Sequence, residues 1–328
     1  MAHLIMNNLV DVSVKIPEAE KQLTISISPV CIVVDNRNSP LELRITLPAK
    51  GNNIPVILLS HGHGPSLYLP SKDGYAPLAN YYAEQGFAVI QPTHANSKVA
   101  GLSQSHSDAP LFLNERYIEM QTILNNLALI ENNSPYLAGR LDKQRIAVVG
   151  HSAGALTAAM LLGMELVPLP GALGTSLSVP DERIKAGVLL AAVGKGGSDL
   201  HDAVRERYPE LNPDYSAMTT KTLVVYGDQD VSAHFTTRGA DWHADPFYLS
   251  PGSDYLLTVI GAKHGLGGIA GFDAKETDDE DPDRLSIVQK MTSAYLRAAL
   301  YNNDKIWQDA CNALKTFASE QAHFRSKH

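Results

Sequence analysis

The sequence predicts an α/β protein. Its expected architecture is one mostly parallel central sheet with helices on both faces, antiparallel strands at the N-terminal margin, and a small lid or none. Three observations predict it. Short, predominantly apolar runs recur at 56–59, 87–90, 146–149, 186–193, 222–226 and 255–260, as strands buried on both faces do. Helix-forming segments stand between them, an alternation that favours parallel strands joined by crossover helices. Glycine-rich turns follow several of these runs, at the carboxyl ends where such sheets gather their chemistry.

The elements follow in order. Residues 1–20 carry little pattern; 23–28 alternates, 31–34 is apolar and 41–47 alternates again. Alternation implies one wet face, as at an antiparallel edge. Residues 75–85 read as a helix ended by Gly86, and Tyr117, Met120, Leu124 and Leu127 recur at helical spacing across 114–132. Strong helix formers fill 153–162 behind the strand at 146–149. Proline and glycine crowd 167–176, so a small lid is expected within 165–184, and a short helix within 200–213. The acidic run 273–283 reads as a solvated loop, with a calcium site as its alternative. Asp281-Pro282 is a good helix start, and two helices are expected over 283–320.

Composition bounds the function. The 328 residues could form two domains, but no internal repeat or low-complexity linker divides them, so 1–328 reads as a single domain with a lead at 1–20. Apolar content of 44% against 19% charged is ordinary for a soluble globular protein. The balance of 27 − 35 = −8, with no lysine/arginine cluster, argues against nucleic acid or an anionic membrane as partner. The first 23 residues lack the apolar core of a signal peptide, and no stretch approaches the ~20 apolar residues of a membrane span. Cys31 and Cys311 read as two free thiols. A cytoplasmic location is the expectation, and oligomeric state leaves no signal.

The chemistry centres on Gly150-His151-Ser152-Ala153-Gly154, a G-x-S-x-G between an apolar strand and a helix. A serine on such a turn is held in a strained conformation that lifts its oxygen above the sheet edge, and only small residues two positions either side let strand and helix approach. The loop Ser60-His61-Gly62-His63-Gly64 follows the strand at 56–59, where backbone N–H groups can face a reacting carbonyl oxygen. His61 and His63 form an H-x-H, but further ligands at metal-binding spacing are lacking, and neither metal nor cofactor is expected. Asp228 and Asp230 follow the strand at 222–226, and His264 follows the last core strand. In these positions Ser152 is the candidate nucleophile, His264 its base and Asp230 the orienting acid, preferred over Asp228 because it lies further into the loop. No acid follows the strand ending at Val193. His151 is expected to pack beside the turn with no proton-transfer role. Tyr68, Trp242, Phe247 and Tyr248 could line an apolar pocket, although each fits ordinary core or surface.

These four motifs, in the order Ser…Asp…His, resemble the α/β-hydrolase superfamily over about residues 40–302. More narrowly they resemble dienelactone-hydrolase-like, chlorophyllase-like and platelet-activating-factor-acetylhydrolase-like esterases. The resemblance implies that the backbone N–H groups of His63 and Ala153 form the oxyanion hole. Ser152 stands where dienelactone hydrolases proper have cysteine. Ala155 stands where the other two groups usually have glycine, and Ala153 where chlorophyllases have arginine, so their particular substrates are not implied. The expectation is a serine hydrolase acting on a small-molecule carboxylic ester. The alternatives are an amide or peptide hydrolase with the same residues, and a non-catalytic binding protein of this fold.

Overall fold

The computed structural model describes residues 12–35, 37, 39–102, 105–167 and 179–327. In chain order the strands and helices are β1 (Thr24–Ile32), β2 (Leu41–Pro48), β3 (Ile54–Ser60), α1 (Ala76–Glu84), β4 (Ala88–Pro92), α2 (Leu113–Asn125), α3 (Leu127–Asn132), β5 (Leu141–His151), α4 (Ala153–Leu162) and β6 (Glu165–Leu166). They continue as β7 (Ile184–Leu190), α5 (Asp202–Arg207), β8 (Pro213–Asp214), β9 (Thr222–Gly227), α6 (Asp245–Leu249), β10 (Ser253–Val259), α7 (Pro282–Tyr301), α8 (Asp304–Phe317) and β11 (Ala322–Ser326).

Among the described residues the main sheet has nine strands in the order β1-β2-β4-β3-β5-β7-β9-β10-β11. The six strands from β4 to β10 run parallel, and β1, β2 and β11 are antiparallel to their neighbours. The strands alternate between two cores. Ile57, Leu59, Ala147 and Val149 meet α1, α7 and α8 through Leu78, Tyr82, Met291 and Leu314. Val56, Leu58, Ile146 and Val148 face α2 and α4 through Met120, Ile123, Leu156 and Met160 on the other side. Each large side chain buried in this way stabilises by roughly 1.5–3 kcal/mol, so the continuously apolar runs are what two helical layers require.

Several sequence expectations are refined. Most of the alternating segment 23–28 and the first half of the apolar segment 31–34 belong to one strand, β1, whose register shifts between Ile27 and Val30. The helix read across 114–132 breaks at Asn126 into α2 and α3. The C-terminal edge strand β11 has no counterpart in the sequence reading: its short stretch Ala322–Ser326 carries little apolar signal, and it forms by pairing with β10. The expected lid at 165–184 falls largely on 168–178, outside the described residues; at its start β6 pairs with β8.

The acidic run is not simply solvated. Asp279 is buried and its Oδ2 accepts from the amides of Lys263 (2.7 Å) and Gly267 (3.2 Å), Glu276 accepts from the Ser66 amide (2.9 Å), and Asp283 accepts from the Ser13 amide (3.1 Å). Those amides have no ladder partners, so carboxylates from a distant loop satisfy them. No helix among the described residues is long and apolar enough to cross a membrane.

The tightest point lies between β3 and α4. A Cβ on Gly154 would sit 2.0 Å from the Ser60 carbonyl oxygen, and one on Gly150 2.0 Å from the Gly154 carbonyl oxygen. Gly154→Ala is therefore expected to cost about 3 kcal/mol, the upper end for overpacking. Thermal melts should show Tm lowered by roughly 4 °C. An unchanged Tm would show that the helix can withdraw from the strand freely.

Candidate active site

Parallel register aligns the carboxyl ends of the central strands. Ser60 pairs with Gly150, His151 with Leu190, Leu190 with Val225, and Gly227 with Val259, so the loops after β3, β5, β9 and β10 emerge along one edge. Ser152 occupies the turn between β5 and α4 with φ 56° and ψ −119°, a conformation that costs a non-glycine residue about 1–3 kcal/mol. Its amide donates to the Leu190 carbonyl (3.0 Å), which anchors the turn to the next strand. The side chain is half-buried.

Asp230 and His264 come together as the sequence pattern requires of an acid and a base. His264 Nδ1 donates to Asp230 Oδ2 at 2.9 Å, which leaves Nε2 as the ring nitrogen turned away from that carboxylate bond. Burial alone would raise the Asp230 pKa, but hydrogen bonds from His243 and His264 hold it far below the usual carboxylate range. At His264 burial opposes the cation. The hydrogen bond and charge of Asp230, with Asp279 and Asp278 behind it, outweigh burial and raise the pKa above 6.5. The imidazole keeps 43% of its side-chain surface exposed, so solvent reaches it. Asp228 serves the loops instead: its Oδ1 accepts from the Gly261 amide (2.6 Å) and ties the β9 and β10 loops together. Among the described residues Ser152 Oγ and His264 form no hydrogen bond, a contact that is often long before substrate binds.

The amides of His63 and Ala153 are engaged by no other group among the described residues, and Ala153 is the first residue of α4. Behind them lies a buried polar layer. Arg116, on α2, donates to Thr157 Oγ1 (2.8 Å), Asn96 Oδ1 (2.6 Å), Ser60 Oγ (3.1 Å) and the His61 carbonyl. Asn96 in turn donates to His63 Nδ1 (3.0 Å). His61 Nδ1 donates to the Gly62 carbonyl (2.7 Å) and its Nε2 accepts from the His94 amide (3.0 Å), so both ring nitrogens are engaged and the H-x-H does not present a ligand pair.

Hydrogen-bond geometry by itself would select another serine. Ser60 Oγ lies 2.9 Å from His94 Nε2, and His94 Nδ1 lies 2.7 Å from Glu119 Oε2, a complete Ser–His–acid arrangement. All three residues are fully buried, Ser60 accepts from Arg116, and Glu119 pairs with Arg37. No substrate reaches that oxygen, so the arrangement is structural.

Sequence reasoning missed His243. It is buried, donates through Nδ1 to the Ala192 carbonyl (2.6 Å), and brings Nε2 to 3.2 Å from Asp230 Oδ2. A lone histidine in an irregular segment gives no periodic signal. Arg116 and Glu119 did leave one: two opposite charges on the apolar face of an amphipathic helix. The ligand atoms of Asp230, His243 and His264 lie within 4.8 Å of one another, a donor set of metal-binding chemistry, but hydrogen bonding between these residues accounts for their approach. A groove of roughly 460 Å³, lined by Leu127, Ile146, Lys143 and Arg183, lies at the amino ends of β5 and β7, away from this edge.

The mostly parallel sheet, covered by helices on both faces and carrying a strained serine turn at its carboxyl edge, is that of an α/β hydrolase. A family model described as "Alpha/beta hydrolase family" matches residues 56–318, and the chain belongs to this family. Two cutinases are similar to it. Cutinase 1 of Thermobifida cellulosilytica is 24% identical over 270 residues, covering 81% of this chain and 76% of its own. The cutinase of Thermobifida fusca (strain YX) is also 24% identical over 270 residues, covering 81% of this chain and 66% of its own.

A base works in its neutral form, so reaction at Ser152 is expected to fall as pH drops through a His264 pKa above 6.5. In Asp230→Asn the raising charge is gone, and the acid limb should move to lower pH while the rate falls by about 10⁴. The pH dependence of covalent labelling by a fluorophosphonate reads both effects. A limb that stays in place in Asp230→Asn would remove Asp230 from this role.

Proposed function

We propose that the protein is a carboxylic-ester hydrolase that works through an acyl-enzyme on Ser152. The observation that carries this reading is the strained turn at Ser152, tied through the neighbouring His151 to the loop of the Asp230–His264 pair; the His63 and Ala153 amides, which no other described group engages, support it. In the proposed reaction Ser152 Oγ attacks the ester carbonyl carbon and His264 Nε2 takes its proton. The tetrahedral oxyanion receives hydrogen bonds from the two amides, worth about 3–4 kcal/mol per donor in such sites. Collapse expels the alcohol, which leaves with the proton from His264. Water, deprotonated by the same imidazole, then attacks the acyl-enzyme and releases the acid. Asp230 fixes the imidazole tautomer and stabilises the cation in both halves.

The ester class rests on the relatives, both cutinases and therefore ester hydrolases. An apolar acyl or alcohol part is supported by exposed side chains on three loops at this edge: Leu67 and Tyr68 after His63, Val231 after Asp230, and Phe272 after His264. Trp242 and Phe247 are buried among core residues and do not serve as lining.

Hydrolysis of p-nitrophenyl esters with acyl chains of two to twelve carbons tests the reading. Wild-type protein should turn them over, and Ser152→Ala should lower kcat by about 10⁴–10⁶. Full activity in Ser152→Ala would remove the nucleophile. Faster cleavage of a matched anilide than of the ester would move the substrate class to amides.

A further inference from the structure

A buried hydrogen-bonded chain joins the three loops of the candidate site and takes no part in the proton transfers above. We propose, resting on the esterase reading, that Tyr75 and His151 form a strut that sets the base loop against the serine turn and the oxyanion loop, making them positioning residues for acyl transfer. The Gly62 amide lies 3.0 Å from Tyr75 Oη, Tyr75 Oη 2.6 Å from His151 Nδ1, and His151 Nε2 2.8 Å from the His264 carbonyl oxygen.

The direction of every link is forced by its ends. An amide N–H only donates, so Tyr75 Oη accepts from Gly62 and gives its own proton to His151 Nδ1. A carbonyl only accepts, so His151 carries its proton on Nε2. The imidazole is therefore neutral and held in one tautomer. Burial first, and then the nearby His264, push its pKa down to about 3; the His264 carbonyl and Asp230 act the other way, and His243 lowers it further. Burial likewise raises the Tyr75 pKa and keeps its hydroxyl protonated.

The strut ends one residue from the His63 amide, passes through the residue before Ser152, and finishes on the peptide group of the base itself. Tyr75 also has φ 60° at the start of α1, and its amide donates to the Ala270 carbonyl (3.2 Å) on the loop that follows His264. Filling this volume would need only two apolar rings. The polar chain adds a defined spacing between donor, nucleophile and base, and a shift of about 1 Å in such spacing can cost 10²-fold in rate.

Three variants separate the links. Tyr75→Phe keeps the ring and deletes the hydroxyl. His151→Asn keeps an acceptor for Tyr75 and loses the bond to His264, whereas His151→Gln keeps a donor to His264. Tyr75→Phe and His151→Asn are expected to lower kcat on a p-nitrophenyl ester by about 10–100-fold with KM within about twofold, and His151→Gln to lose less. Wild-type kcat in the first two, even with a lowered Tm, would reduce the strut to a stability element. Ser152→Ala in the same assay separates the failures: if it stays active the esterase reading falls, and if it is dead while the strut variants are not, only the strut falls. Should the variants not fold, NMR of the ¹⁵N-histidine-labelled wild type still decides. A neutral Nε2–H tautomer for His151 at neutral pH is required, and an Nδ1–H tautomer or an imidazolium there would overturn the proposal.

Discussion

The approach of Gly154 to the Ser60 carbonyl is the contact on which the site depends. With 2.0 Å between that oxygen and any Cβ at position 154, helix α4 can close onto β3 only through glycine. Closure leaves the chain a single residue, Ser152, to turn from strand to helix, and Ser152 takes the left-handed φ that results. The strain is therefore a consequence of packing. It delivers three things together: a serine oxygen clear of the sheet, the first amide of α4 beside it, and the loop after β3 alongside.

Holding that loop in place required charge in the core. Arg116, His94, Glu119 and Arg37 are buried together, an arrangement that stabilises little by itself because desolvation offsets most of the attraction. What the network supplies is direction. Each donor of Arg116 points at a different group behind the loop after β3, and Asn96 passes the orientation on to His63. An apolar core of equal volume would leave the carbonyl of His61 and the hydroxyl of Ser60 without partners, a cost of about 1–3 kcal/mol for each.

The loop after β10, which carries His264, is held from outside the sheet. Asp279 gathers the Lys263 and Gly267 amides, and Asp228 takes the Gly261 amide, so carboxylates bracket His264 on both sides. The charge of Asp279 and Asp278 adds to that of Asp230 in raising the imidazole pKa. The acidic run thus serves loop structure and electrostatics together, which explains why so many carboxylates gather beside the Asp230–His264 pair.

The sequence by itself determined the sheet, the order of its central strands and helices, and the residues that meet at its carboxyl edge. Those features are local: apolar runs of strand length, helix formers, and glycines spaced around one serine. It also favoured Asp230 over Asp228, since depth in a loop is visible in one dimension. Tertiary structure decided the rest. Only packing showed that His243 flanks Asp230, that Ser60, His94 and Glu119 form a complete but sealed serine arrangement, and that Tyr75 and His151 link the Gly62 amide to the His264 loop. It also decided that β11 closes the sheet and that Asp279 supports the His264 loop. The physical reason is common to all of these: a hydrogen bond between residues far apart in the chain depends on where two backbones end up, and no periodicity in either segment records its partner.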